Sequence, residues 1–371
     1  MSYLLSIFYF FYFSVVGVYV IFMPKVLAMS GYSGVEIGVI FAASPMVRFL
    51  LPFAFMKGFK LNKSIFTLAL LVLLGSAIAF YLSIEHFYAL LFSNIGLGIG
   101  LGLVLPYMEV VALNEIGKQN YGKIRLFGSV GFILIALVLV RFLSSVDIAL
   151  NYLLVLTILT ALISFIISRT TDDVSKEDAT NFQDNSIAQD WKLWVGLTLM
   201  QVSFGSFYNF FTIYETSHGI SLNVTVYLWS FGVLCEIVML YFQGRLLQNN
   251  LLGILQFTTF ISAFRWFLVF MFPQNLTILF ISQSLHAFSF ALFHTAAISY
   301  LHKIYKYKTL AQQFFSGLTY GLGGLVGALL AGYIYEYFRV YLFLSSTFLA
   351  FGAFVFLVLW SKDKVSQGRA L

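Results

Sequence analysis

The chain has 371 residues, of which 60% are hydrophobic and only 10% are charged, and it carries a formal charge of +6. Soluble proteins carry about 25% charged residues, so this composition excludes a soluble globular protein and points to a polytopic membrane protein. The single cysteine, Cys235, excludes an intramolecular disulfide and, inside an apolar run, reads as inert packing.

Apolar runs of spanning length recur at about 3–24, 34–56, 64–84, 87–113, 126–143 and 149–168. After a polar stretch they resume at about 193–215, 223–246, 251–272, 275–301, 310–335 and 341–360. The first run has no basic residue before Lys25 and exceeds a signal core, so it reads as an uncleaved spanning helix. Continuous runs of this kind predict helices, not barrel strands. The expected fold is an all-α membrane protein of twelve transmembrane helices in two pseudo-symmetric six-helix bundles. Residues 1–168 form the first bundle and 193–371 the second. The stretch 169–192, rich in acids such as Asp172, Glu177 and Asp184, reads as a cytoplasmic linker.

Basic residues fall unevenly among the breaks. Sixteen lie on one side, with Lys57, Lys60, Lys63, Lys118, Lys123 and Arg125 among them, and only Lys25, Arg141 and Arg339 lie on the other. The asymmetry predicts that both termini and the linker are cytoplasmic. The positive charge is thus a topology signal, and no nucleic-acid partner is expected.

Few charges sit at membrane depth, and each is costly there. Near the middle are Arg48, Glu236, Arg265 and His286. Nearer the cytoplasmic face are Glu109, Arg125 and His294. Arg48 lies seven residues after Phe41, and Glu236 seven after Trp229, so the two are candidates for equivalent places in related halves. Two arginines against one carboxylate leave a positive excess. A substrate carboxylate would balance it through a bidentate pair, and a structural network with backbone carbonyls is the competing account. Arg265 and Arg48 are therefore candidate substrate-binding residues, with Tyr208 and Trp229 as aromatic wall. Glu236 is the candidate proton carrier, because burial disfavours its charge while a nearby arginine favours it, which links proton and substrate binding.

His286 and His294 can relay protons or bond the substrate. At ordinary helical pitch they stand two turns apart and about 80° around the axis. Packing is the competing role for each. Glu109 and Arg125 are expected to pair as a cytoplasmic gate or as a static tie. Glu215, near the outer end of the seventh run, reads as interfacial and solvated. The glycines at 96, 98, 100 and 102, and the pairs Gly317/Gly321 and Gly323/Gly327, allow close helix approach. No metal site, nucleotide loop or nucleophile elbow is present in a credible context. An enzyme is not expected, nor a cofactor beyond protons as coupling ion.

The stretch Tyr121-Gly122-Lys123-Ile124-Arg125-Leu126-Phe127-Gly128-Ser129 resembles a signature at the start of helix five in the phenylpropionic acid permease branch of the major facilitator superfamily. That branch is similar to the lactose permease and nucleoside–proton symporter group. Val47-Arg48-Phe49, Tyr227-Leu228-Trp229-Ser230, Glu236, Arg265-Trp266 and Leu285-His286-Ala287 carry the same resemblance, as do Phe290 and His294. It implies proton-coupled secondary transport by alternating access. It places Glu236, Arg265 and His286 or His294 on substrate-binding and proton-coupling positions. The loop Lys57-Gly58-Phe59-Lys60-Leu61-Asn62-Lys63 departs from the superfamily pattern in having no acid.

The reading is a monomeric, multi-pass transporter of the bacterial inner membrane. Its partners are lipid, protons and a small molecule, expected to be a phenylpropionate-like aromatic monocarboxylate taken up with protons. The alternatives are a proton symporter for a neutral sugar or nucleoside, and a non-transporting membrane sensor or assembly factor.

Overall fold

The computed structural model describes residues 1–56, 59, 61–171, 189–248, 250–306 and 308–366. Within lipid every backbone polar group must be satisfied inside the segment, and the described residues accordingly form helices with no strand. The chain is an all-α membrane protein of the major facilitator fold. It divides into two compact units, Met1–Ala179 and Thr180–Leu371.

Unit 1 contains α1 (Ser2–Met29), α2 (Gly34–Ala54, continuing to Met56), α3 (Lys63–Leu82), α4 (Phe87–Gly117), α5 (Tyr121–Phe142) and α6 (Val146–Thr170). Helix α4 runs into α5 with one break at Gly117, whose φ of 70° is open to glycine at little cost. Unit 2 contains α7, α8 (Leu222–Phe242), α9 (Leu251–Met271), α10 (Leu276–Ile304), α11 (Ala311–Tyr337) and α12 (Leu342–Ser366). Asn62, Ser221, Asn250 and Asn275 cap α3, α8, α9 and α10, each accepting from a backbone N–H three residues on.

Among the described residues, eleven helices are long and apolar enough to cross a membrane. The twelfth expected span, α7, is two thirteen-residue helices, Trp191–Ser203 and Gly205–Ser217, that meet at Phe204. The break falls where α7 crosses α11. A Cβ on Gly205 would land on the Gly327 carbonyl, and one on Gly327 would come within 2.8 Å of the Val202 carbonyl. Unit 1 has the same device at its α1–α5 crossing, where a Cβ on Gly131 would strike the Phe10 carbonyl. The pairings α1–α5, α3–α4, α2–α4, α1–α6 and α3–α6 recur in unit 2 six helices later.

Most of the stretch read as a linker, 172–188, lies outside the described residues, as do Lys57, Gly58 and Lys60 of the loop after α2. Its edges are helical. Arg169 and Thr170 end α6, and Trp191 and Lys192 open α7. The opening of α7 is tied down by polar contacts. Lys192 pairs with Asp363 at 2.6 Å, Lys364 with Asp190 at 2.9 Å, and the Tyr305 hydroxyl donates to Asp190 at 2.9 Å.

Candidate functional site

Three of the residues singled out in the sequence form one chain of contacts inside unit 2. Arg265 on α9 is fully buried. Its Nη1 donates to Nδ1 of His286 at 2.9 Å and to the Ser289 hydroxyl at 3.0 Å. Its Nη2 donates to Oε1 of Gln283 at 2.9 Å. Nε is buried without a hydrogen-bond partner among the described residues. The guanidinium lies against two neighbouring rings, with Cζ 4.5 Å from the Phe207 centroid and 4.3 Å from that of Trp266, the two centroids themselves being 5.5 Å apart.

A guanidinium can only donate, so Nδ1 of His286 must accept. The imidazole proton therefore sits on Nε2, and Nε2 faces Oε2 of Glu236 at 3.6 Å. That separation is an electrostatic contact, longer than a hydrogen bond. The three groups read Arg265, His286, Glu236 from a sealed end to an open one: the Glu236 side chain is 17% exposed and that of His286 only 6%.

Helix α10 places both histidines on one face, which differs from the 80° offset expected at ordinary pitch. The turn Ala287–Leu292 is a π-helix, bounded by His286 before it and Phe293 after it. A π turn holds an extra residue and so removes most of that offset. The rings of His286, Phe290 and His294 consequently stack in a ladder, with centroids 5.2 Å and 6.4 Å apart. Nδ1 of His294 meets the Tyr320 hydroxyl at 2.6 Å, and Tyr320 itself lies in a second π segment, Phe315–Leu322 of α11.

The two aromatic candidates, Trp229 and Tyr208, are packed among other side chains. Trp229 is buried, donates from Nε1 to the Thr212 hydroxyl at 3.1 Å, and stacks against Phe207 at 4.2 Å. Tyr208 is half-buried beside Phe204 and Phe207, within electrostatic reach of Arg265. Sequence reasoning missed Gln283 and Ser289. A signal was available, since both are polar residues three positions from His286 in an apolar helix.

The remaining candidates belong to unit 1. Arg48 is exposed on α2, with its charge felt at Tyr12. Arg125 lies 3.9 Å from Glu109, and the Tyr121 hydroxyl donates to the same carboxylate at 3.2 Å. The Arg125 guanidinium covers the Phe13 ring at 3.9 Å. A Cβ on Gly128 would come within 2.6 Å of Phe13 and 2.9 Å of Arg125. Tyr121, Arg125 and Gly128 of the helix-five signature thus serve one cluster.

Among the described residues no group of three or more His, Cys, Asp or Glu could hold a metal ion. Cys235 is a free, half-buried thiol.

Two all-helical units with eleven membrane-length helices among the described residues define an integral multi-pass membrane protein. The chain belongs to the MFS_1 like family, whose model matches residues 3–345, and is a secondary transporter of major facilitator type. It is 26% identical over 351 residues to a probable 3-phenylpropionic acid transporter of Escherichia coli (strain K12), covering 90% of this chain and 91% of that one. It is 24% identical over 276 residues to the uncharacterized transporter YwbF of Bacillus subtilis (strain 168), covering 70% and 68%. A mutant of the nucleoside transporter NupG superposes with a TM-score of 0.79 at 15% identity, covering 96% of this chain and 99% of that one.

Proposed function

We propose that this transporter takes up a small organic acid of the phenylpropionate kind together with protons, by alternating access. It would reside in the bacterial inner membrane with both termini cytoplasmic, as the sixteen-to-three split of basic residues indicates. The observation that carries the reading is the Arg265–His286–Glu236 chain, which connects an anion-binding group to a proton-binding group through one neutral imidazole.

A carboxylate is a stronger acceptor for Nη1 than a neutral ring. A substrate carboxylate that takes Nη1 releases Nδ1 of His286. With Nδ1 free, the ring can take a proton there from water and pass its Nε2 proton to the Glu236 carboxylate, and the two binding events become linked. One proton entering with one monocarboxylate anion moves no net charge, so the pH difference drives that uptake, about tenfold per pH unit. Each further proton adds about 2.3 kcal/mol per 100 mV of membrane potential. Arg48 is the second candidate for the anion, Tyr208 and Trp229 for its apolar body, and the Glu109–Arg125 pair for a gate.

One observation favours a neutral solute instead. The fork of Arg265 is already engaged by Gln283, Ser289 and His286, as it would be if the arginine served only the charge network. External pH in a weakly buffered, de-energised suspension of expressing cells separates the two. Addition of 3-phenylpropionate or a related acid is expected to alkalinise the medium, and Glu236→Gln to abolish the response. Alkalinisation by a sugar or nucleoside alone would establish the neutral-solute reading.

A further inference from the structure

The reading above leaves one buried acid unused. Glu215 was expected to be interfacial and solvated, but it is fully buried in the second half of α7 (Gly205–Ser217). Neither carboxyl oxygen has a hydrogen-bond partner among the described residues, and no cation lies within ion-pair distance of it there. The hydroxyls on its own helix are spoken for. Thr212 receives the Trp229 indole N–H, Thr216 donates to the Thr212 carbonyl at 2.9 Å, and Ser217 donates to the Tyr214 carbonyl at 2.7 Å. The nearest titratable neighbours on α7 are Tyr214 and His218, whose rings lie 4.3 Å apart, and the His218 Nδ1 proton goes to the Tyr214 carbonyl at 2.9 Å. From the end of α11 come Tyr335 and, over its ring at 4.7 Å, Arg339. Tyr227 on α8 and Tyr341 before α12 are exposed.

A carboxylate without donors is not stable in such a place, whereas the neutral acid can be held there. Even the acid is unsatisfied, since its O–H and C=O both lack partners. A leucine would suit this packing better, so the group is not kept for this arrangement alone. It suits a second arrangement in which the end of α7 is wetted.

We propose that Glu215 is a second proton-binding site, separate from the Glu236 relay, which holds its proton when packed as here and releases it to water when that end of α7 opens. The inference does not depend on the identity of the transported solute, and its test uses none.

Infrared difference spectra of the purified full-length protein, recorded across pH in H2O and D2O, read carboxylic acids directly. The expected spectrum contains a carboxylic C=O band that persists at neutral pH, is lost in Glu215→Gln, stays in Glu236→Gln and is displaced in Glu215→Asp. Its conversion to a carboxylate band at alkaline pH reports the release. Two results would overturn the proposal. One is a carboxylic region unchanged between wild type and Glu215→Gln. The other is a Glu215 band that neither shifts in D2O nor titrates at any pH, the mark of a permanently sealed acid.

Discussion

The α1–α5 crossing of unit 1 and the α7–α11 crossing of unit 2 are built alike, with a glycine of one helix laid against the backbone of the other. The two units diverge in what they do with charge. The core of unit 1 is tied by neutral groups: Tyr19 donates to Asn94 at 2.8 Å, and Tyr12 to the Leu101 carbonyl at 3.1 Å. Its Arg125–Glu109 ion pair has both side chains about one-third exposed. Unit 2 seals an arginine, a histidine and a separate glutamate at membrane depth. The two units thus share the crossing and differ in burial, the buried acid, arginine and histidine side chains among the described residues lying in unit 2.

That contrast is most sharply broken by removing the two arginines. Arg265→Ala leaves Gln283, Ser289 and His286 without their donor. Loss of one partner from a buried charged network costs about 3–5 kcal/mol. Arg125→Ala removes a partly exposed pair worth about 0–1 kcal/mol and one ring contact of about 0.5–1 kcal/mol. Thermal unfolding of the purified variants in detergent should show the first far below wild type and the second close to it. Equal shifts would mean that the units do not differ in this respect.

A second pair of substitutions tests the shared part of the design. Gly131→Ala and Gly205→Ala each drive a methyl into a facing carbonyl, and overpacking of this kind costs about 1–3 kcal/mol. A Cβ on Gly75 of α3 meets nothing within 4 Å, so Gly75→Ala should be neutral or gain up to about 1 kcal/mol in helix propensity. If both crossings serve the same role, Gly131→Ala and Gly205→Ala will lower the unfolding temperature together. A loss confined to one would show that the likeness of the two units is only in shape.

Much of this was legible in the chain. Run length and the scarcity of charge gave the spans to within a few residues, because lipid leaves the backbone no alternative to a helix. The cost of burying Glu236, Arg265 and His286 marked them before any geometry was known, and the structure brings those three together. What was hidden was anything that depends on which way a helix faces. Nothing local announces that Ala287–Leu292 winds as a π turn, so the common face of His286 and His294 could not be read from their spacing. Glu215 was misread for a related reason. Its place three residues from the end of α7 looks interfacial in sequence, but burial is decided by the helices packed around it. Phe204 breaks α7 because of Gly327, more than a hundred residues away.

The smallest expected effect concerns the far end of the histidine ladder. Tyr320→Phe removes the hydroxyl that meets Nδ1 of His294 and leaves the ring packed against Phe315. One such hydrogen bond is worth about 0.5–1.5 kcal/mol, so an affinity or rate that depends on it changes by about tenfold at most. If His294 takes part in proton transfer, the substitution should displace the pH profile of solute counterflow and leave the unfolding temperature nearly unchanged. If His294 only packs, the profile will superpose on wild type and any loss will be in stability. The outcome decides whether the relay ends at His286 or runs the length of the π turn to α11.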